Sequence, residues 1–374
     1  MELLSEVFRG KQSTQGIKYM PPEIHIFLEE RGKGGVYNRS SEIKKGKKVK
    51  EVYDEFRRRY LDRKPDLSYA NVALEKTPLE ENIIRQANSL INERLGGIGI
   101  DTIDVLSRHV LIVPHLELKR HEEDPEYETR HDLMRILLTD KIREEDPLKL
   151  VAIVMHEALH FKEPVEIEAM VDEKRVYFND RGSGIRVSGR STTFAGLSEG
   201  ITEELTRSIF PFLCEKIPEL KKLRAESILA MQILTPQITS NRIANRQKFQ
   251  SSDEAQQQLL DVLDEIAKED FILVKGKTEG RFTYIPQRAL LTLIMMTITK
   301  DDPKNFPNIN SVFNIFLKAQ YKKSLPLVTD LIERSFGEGS SEIVGGMSTG
   351  IGAFHEAEQI WRKLLENRRN RKSL

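Results

Sequence analysis

At 374 residues the chain is long enough for two or three packed units around a large buried core. Charged residues make up 31% of it yet cancel to a formal net charge of zero, so overall charge points to neither nucleic acid nor an anionic membrane as partner. Cys214 is the only cysteine, which rules out an intramolecular disulfide and fits a reducing compartment.

Met1–Gly10 carries an acid where a signal peptide has basic residues, and it lacks an apolar core. Residues 1–65 read as a loosely ordered leader, interrupted by Gly10, Gly16, Pro21-Pro22 and Gly32-x-Gly34-Gly35. Its basic run, Lys44 to Lys64, is diluted by Glu51, Asp54, Glu55 and Asp62. It is expected to be a solvated face rather than a phosphate-binding patch. The longest apolar stretch, Leu290–Ile298, is broken by Thr292 and Thr297 and falls far short of the roughly 20 residues a membrane helix needs. A soluble, cytoplasmic protein is expected, with no membrane and no nucleic acid among its partners.

Thr77-Pro78-Leu79-Glu80 is a capping box with proline at the first helical position. The helix it opens places Ile83, Ile84, Ala87, Leu90, Ile91 and Leu95 on one face and stops at Gly96-Gly97. Val110–Val113, closed by Pro114, reads as a core strand, and Arg135–Thr139 as a second. A strand in that place could take a peptide substrate as an added strand. His109, His115, His121 and His131 have no ligand-like partner at i+3 or i+4, and structural or surface roles are expected for them.

Asp146-Pro147 marks a helix start, with an N-cap acceptor followed by proline. The helix from Leu148 to Leu159 is apolar nearly all round, so it should be buried. Its last turns contain His156-Glu157-x-x-His160. Residues four apart stack on one helical face, so both imidazoles can reach one metal ion while Glu157 stands beside it as a general base. With eight histidines in the chain, a chance HExxH is expected in roughly 2% of shuffled sequences. Polar groups in so apolar a helix are costly without partners, and a metal is the simplest partner.

Beyond Pro164, Lys174–Asp180 alternates, Arg181-Gly-Ser-Gly184 reads as a hairpin turn, and Ile185–Gly189 as the returning strand. The next helix, Leu197–Thr206, offers Glu199 and Glu203 at i and i+4 on one face. One carboxylate can bind the metal while the other accepts a hydrogen bond from a ligating imidazole and fixes its tautomer.

His156-Glu157-x-x-His160 followed by Ser198-Glu199-Gly200-Ile201-Thr202-Glu203 resembles the gluzincin zinc metallopeptidases, with serine where that clan commonly has asparagine. The resemblance covers roughly residues 79 to 210. It implies that His156, His160 and Glu199 are zinc ligands, that Glu157 is the general base and that Glu203 orients a histidine. Glu163, Glu166 and Asp172 are the next carboxylates should Glu199 not serve. Glu199 lies 39 positions after His160, a gap that the hairpin would fill. The metzincin pattern HExxHxxGxxH fails, because Glu163 stands in place of its glycine and Glu166 in place of its third histidine.

Past Pro211 the chain reads as helical, with helices at Glu219–Leu234, Asp253–Lys268, Gln287–Thr299, Ser311–Gln320, Leu325–Phe336 and Ala353–Arg368. The glycine-rich stretch Gly337–Gly346 reads as a loop. The resemblance implies that this second subdomain forms the other wall of a cleft and supplies an oxyanion donor. Tyr284, Tyr321 and His355 are all candidates for it.

The expected fold is α+β. A small mixed sheet packs with the HExxH helix in a zinc-binding subdomain at residues 66–212, and a mostly helical subdomain spans 213–374. The expected function is a Zn2+-dependent peptidase acting on a peptide or protein substrate. It would hydrolyse peptide bonds through a zinc-activated water with Glu157 as base. The rival is a catalytically silent interaction protein with a structural metal or none, whose fourth ligand would be Cys214 or Asp172.

Overall fold

The computed structural model describes residues 24–31, 37–38, 72–115, 127–130, 135–144, 147–171, 176–186, 193–229, 253–274, 277–280, 282–322, 324–350 and 352–372. The basic run Lys44–Lys64, His121, His131, Asp146 and Asp172 lie outside these residues.

Helix α1, Pro78–Gly96, starts at its capping box: the Thr77 backbone N–H donates to Glu80 Oε2 (2.6 Å), and the Glu80 N–H donates to Thr77 Oγ1 (3.3 Å). Its predicted apolar face is the one that is buried, from Ile83 through Leu95. Each large side chain there contributes about 1.5–3 kcal/mol by leaving water.

Strands β3 (Val110–Val113), β4 (Tyr127–Arg130) and β5 (Arg135–Thr139) form one sheet in the order β3-β5-β4, with β5 parallel to β3 and antiparallel to β4. Both edges of β5 are therefore taken, and it cannot receive a peptide as an added strand. That expectation is corrected: β3 and β4 are the outer strands of this sheet, and Leu74 forms a bridge to Ile112 of β3.

A short helix, α2 (Lys141–Glu144), leads into α3 (Pro147–Phe161). Every residue of α3 from Leu150 to Phe161 is buried, including His156, Glu157 and His160. Helix α3 packs against α1, against β4 and β5, and against the next long helix. Just past its end, Lys162 donates to the Oδ1 atoms of Asn88 and Asn92, both at 2.8 Å, and to the Ile103 carbonyl, which ties α3 to α1.

A hairpin does follow α3, but its strands are β6 (Val165–Val171) and β7 (Val176–Ser183), paired antiparallel. Arg181-Gly182-Ser183 lies within β7 rather than in the turn. The register shifts at Glu166/Ile167, which face Gly182 and Asp180, so Arg181 is the extra residue of a β-bulge. A glycine inside a strand has the same local signature as a turn, which is why the sequence misplaces it. Strand β1 (Ile24–Arg31) runs parallel to β6 and carries β2 (Tyr37–Asn38) at its other edge, giving the order β2-β1-β6-β7.

Helix α4, Ala195–Lys216, runs through Pro211 without ending there. It begins on Phe194, which sits in the left-handed region (φ 60°, ψ 13°). The Phe194 N–H donates to the Gly345 carbonyl (2.8 Å) and the Gly196 N–H to the Met347 carbonyl (3.1 Å). A Cβ at Gly196 would stand 2.7 Å from the Ser348 carbonyl oxygen, so only glycine allows this approach.

The remainder is largely helical: α5 (residues 218–229), α6 (Glu254–Asp270), α7 (Ile285–Asp301), α8 (Ile309–Tyr321), α9 (Leu325–Phe336), α10 (Ser340–Gly345) and α11 (Ala353–Lys372). Two departures stand out. A strand pair, β8 (Phe271–Val274) with β9 (Lys277–Gly280), interrupts the helices, and α10 occupies part of the segment read as a loop. Helix α10 is six residues long, too short to display a period, and it starts on Gly339 at φ 80°. The architecture is α+β in the coarse sense and dominated by helices. Among the described residues no helix is long and apolar enough to cross a membrane.

Candidate metal centre

Three elements bring the centre together: α3, α4 and the segment that closes the hairpin. His156 Nε2 and His160 Nε2 lie 3.0 Å apart. Glu199 Oε2, from the second turn of α4, is 3.3 Å from the first and 3.2 Å from the second. Among the described residues this is the one group of three or more His, Cys, Asp or Glu side chains placed to hold a metal ion.

The donor chemistry fits an ion. His156 Nδ1 is 2.6 Å from Glu203 Oε2, and His160 Nδ1 is 2.8 Å from Glu163 Oε1. A carboxylate only accepts, so each Nδ1 carries a proton, and an ion would displace protons from Nε2 alone, leaving a lone pair on each. Two nitrogen lone pairs and a carboxylate oxygen then converge on one point. Tetrahedral zinc with bonds of about 2.0–2.1 Å needs donors about 3.3–3.4 Å apart, close to the spacings found.

The electrostatics agree. Burial works against charge on both rings, but Glu203 and Glu199 outweigh it at His156 and hold its pKa well above the usual imidazole range. At His160, Glu199 and Glu163 overcome burial and raise the pKa to about 9. Burial pushes the Glu163 carboxyl up, but His160 and Arg186 bring it down to about 2. Burial likewise opposes ionised Glu199, and His160, His156 and Arg186 hold its carboxyl well below the carboxylate range. The cluster is a buried field that calls for positive charge at the two Nε2 atoms, which a divalent ion supplies.

Glu157 is buried, with Oε1 4.0 Å from His156 Nε2, beside the ligand cluster rather than part of it. Glu203 faces both ways: its other oxygen, Oε1, accepts from the Thr283 backbone N–H and from Thr283 Oγ1 (3.1 Å). The neighbouring Tyr284, at φ 53° before α7, stacks its ring on His156 with centroids 5.8 Å apart. Of the three oxyanion candidates only Tyr284 lies against a ligand. The Tyr321 hydroxyl donates to the Leu159 carbonyl (3.4 Å), and His355 is exposed on α11 beside Gln359.

Sequence reasoning missed two members. From the sequence Glu163 reads only as a substitute ligand, whereas in the structure it is the fully buried partner of His160, braced by Gln320 Nε2 (2.7 Å). Its signal was its place three residues after His160, where the chain leaves the helix. The sequence does not single out Arg186. Its Nη1 is 3.2 Å from Glu199 Oε1, its Nε donates to Ser198 Oγ (3.2 Å), and its Nη2 lies 2.8 Å from His160 Nδ1 and 3.7 Å from Glu163 Oε2. Since His160 Nδ1–H is committed to Glu163, Arg186 acts on the two carboxylates. Nothing local in the sequence ties it to the motif.

Cys214 is buried on α4, fifteen residues past Glu199. At about 1.5 Å per residue it stands roughly 22 Å along the helix from the ligand, too far to complete the centre. Compared with models of protein families, with curated proteins and with solved structures, the chain matches none.

Proposed function

We propose that this chain is a zinc-dependent peptidase of the gluzincin kind. The observation that carries the reading is the convergence of His156 Nε2, His160 Nε2 and Glu199 Oε2 on 3.0–3.3 Å edges, with the Glu157 carboxylate beside them. Three protein ligands and a neighbouring carboxylate outside the ligand set are the requirement of a hydrolytic site, whereas a structural site uses four protein ligands.

Zinc bound there supplies a Lewis acid that makes water acidic near neutral pH and polarises a carbonyl. Glu157 takes a proton from the attacking water and passes it to the leaving amine, so its carboxylate is restored at the end of the cycle. His156 and His160 keep their lone pairs aimed at the ion because Glu203 and Glu163 hold the Nδ1 protons. Tyr284, stacked on His156, is the group best placed to donate to the developing oxyanion. Among the described residues the outer edge of β4 pairs with no other strand, and it is the edge we assign to a peptide backbone.

The test is a split outcome for Glu157→Gln. This variant keeps the shape and removes the base. It should bind zinc at one equivalent per chain and melt near the wild-type temperature, while hydrolysis of an unfolded casein-type substrate falls by about 10²–10⁴-fold. Equal cleavage by the two proteins defeats the mechanism, and a zinc-free wild type defeats the reading.

A further inference from the structure

A carboxylate can offer a metal one oxygen or two, and the choice decides what kind of centre results. With both Glu199 oxygens and two imidazoles, zinc would have four protein donors and no place for water or substrate. With one oxygen, a position stays open. Here Glu199 Oε2 faces the imidazoles, while Oε1 is 3.2 Å from Arg186 Nη1. We propose that Arg186 is a positioning residue of the centre, holding Glu199 Oε1 away from the ion so that the carboxylate binds through Oε2 alone and a coordination position stays open. The inference rests on the zinc peptidase reading and adds to it the group that keeps such a site open.

The placement of Arg186 is built rather than incidental. Its three guanidinium nitrogens each have a partner: Nε on Ser198 Oγ (3.2 Å), Nη1 on Glu199 Oε1 (3.2 Å), and Nη2 2.8 Å from His160 Nδ1 and 3.7 Å from Glu163 Oε2. Ser198 is buried and is the chain neighbour of Glu199, so the guanidinium is fixed to the same turn of α4 that presents the ligand. The chain reaches this point through Gly184, at φ 56°, whose N–H donates to the Pro164 carbonyl (3.0 Å), and through Ile185, which is buried. Arg186 itself remains 23% exposed in its side chain, at the border of the buried cluster. A planar fork with fixed donor directions can fix the carboxylate's orientation, whereas a lysine ammonium could supply only the charge.

The test uses the full chain loaded with cobalt(II) in place of zinc, whose visible spectrum reports coordination number, titrated with acetohydroxamate as a probe of the open position. Wild type should take up one cobalt per chain, and its spectrum should change on adding the hydroxamate. Arg186→Gln should retain cobalt, show the spectrum of a centre with an added oxygen donor, and bind hydroxamate weaker by on the order of 10–100-fold. Arg186→Lys should recover part of this loss. Ser198→Ala leaves the charge in place and removes only the Nε anchor, so it should shift in the same direction by less. Wild-type spectra and hydroxamate affinity in Arg186→Gln overturn the proposal. Should that variant fail to fold, unchanged behaviour of both Arg186→Lys and Ser198→Ala overturns it instead. A wild type that takes up no cobalt, or whose spectrum ignores hydroxamate, defeats the peptidase reading along with this one. Variants that match a responsive wild type defeat this one alone.

Discussion

Glu203 joins His156 to Thr283: one carboxylate oxygen is 2.6 Å from His156 Nδ1, and the other holds the Thr283 hydroxyl at 3.1 Å and its backbone N–H. A single side chain on α4 thus sets the tautomer of a candidate ligand on α3 and holds the residue before Tyr284, the N-cap of α7. Glu203→Ala should lower zinc affinity by on the order of 10–100-fold. Thr283→Val removes only the hydroxyl and leaves the backbone donor, so it should cost no more than about 1 kcal/mol of stability. Zinc competition against a chelator and thermal melts read the two effects. Wild-type zinc affinity in Glu203→Ala would refute the orienting role.

Glu199 and Glu163 both touch the centre but should separate in kind. Glu199→Ala removes a donor and should leave a purified protein that loses zinc on dialysis. Glu163→Ala removes the brace on His160 Nδ1 and should retain the metal with affinity reduced on the order of 10–100-fold. Elemental analysis after graded chelator treatment distinguishes them. Equal retention would mean that Glu163 has the larger share, or that Glu199 does not bind.

Gly184 is required twice over. Its φ of 56° disfavours any side chain, and a Cβ there would lie 3.0 Å from both Glu163 Oε2 and Gln320 Cγ. Gly184→Ala should cost roughly 1–2 kcal/mol from the backbone term alone. Because the new methyl presses on Glu163, zinc affinity should fall as well. A variant that melts lower yet binds zinc as wild type would confine the effect to the backbone.

Glu80 predicts a pH dependence. Burial pushes its carboxyl up, but Arg143, bonded through Nε (2.8 Å) and Nη2 (3.0 Å), together with the Thr77 N–H, holds it below the ordinary value. A carboxyl with a depressed folded pKa stabilises fully above its unfolded pKa of about 4.3, and that contribution disappears as pH falls through the folded value. In urea unfolding of the metal-free protein, wild type should therefore lose stability on acidification below about pH 5. Glu80→Gln should be less stable at pH 7 and lose less on the way down. Parallel curves for the two would remove Glu80 from the acid response.

The parts of the fold that a period can announce were legible. The apolar faces of α1 and α3 follow from spacing, as do the capping box at Thr77 and the approximate ends of α6, α7, α8, α9 and α11. The candidate pair His156 and His160 was legible for the same reason, since i,i+4 spacing on one helix is itself a geometric statement, whereas Glu199 was singled out from Glu203 only by the resemblance. What escaped was carried by contact between distant segments. Arg186 reaches Glu199 from a loop across a hairpin, and Gln320 reaches Glu163 from 157 residues away. Strand β5 was found, but its being paired on both edges depends on β4.

The hairpin has a narrow neck. The Gly184 N–H meets the Pro164 carbonyl at 3.0 Å, so residues 165–183 leave and rejoin the body of the protein at nearly one point. Glu163 stands just before that point and Arg186 just after it, while the three candidate ligands lie elsewhere. Chain can therefore be added to or removed from the excursion without moving a donor atom. Doubling the length of such a loop costs only about 0.6 kcal/mol in closure entropy. This neck is where descendants of the sequence could vary in size and partner while inheriting the same chemistry.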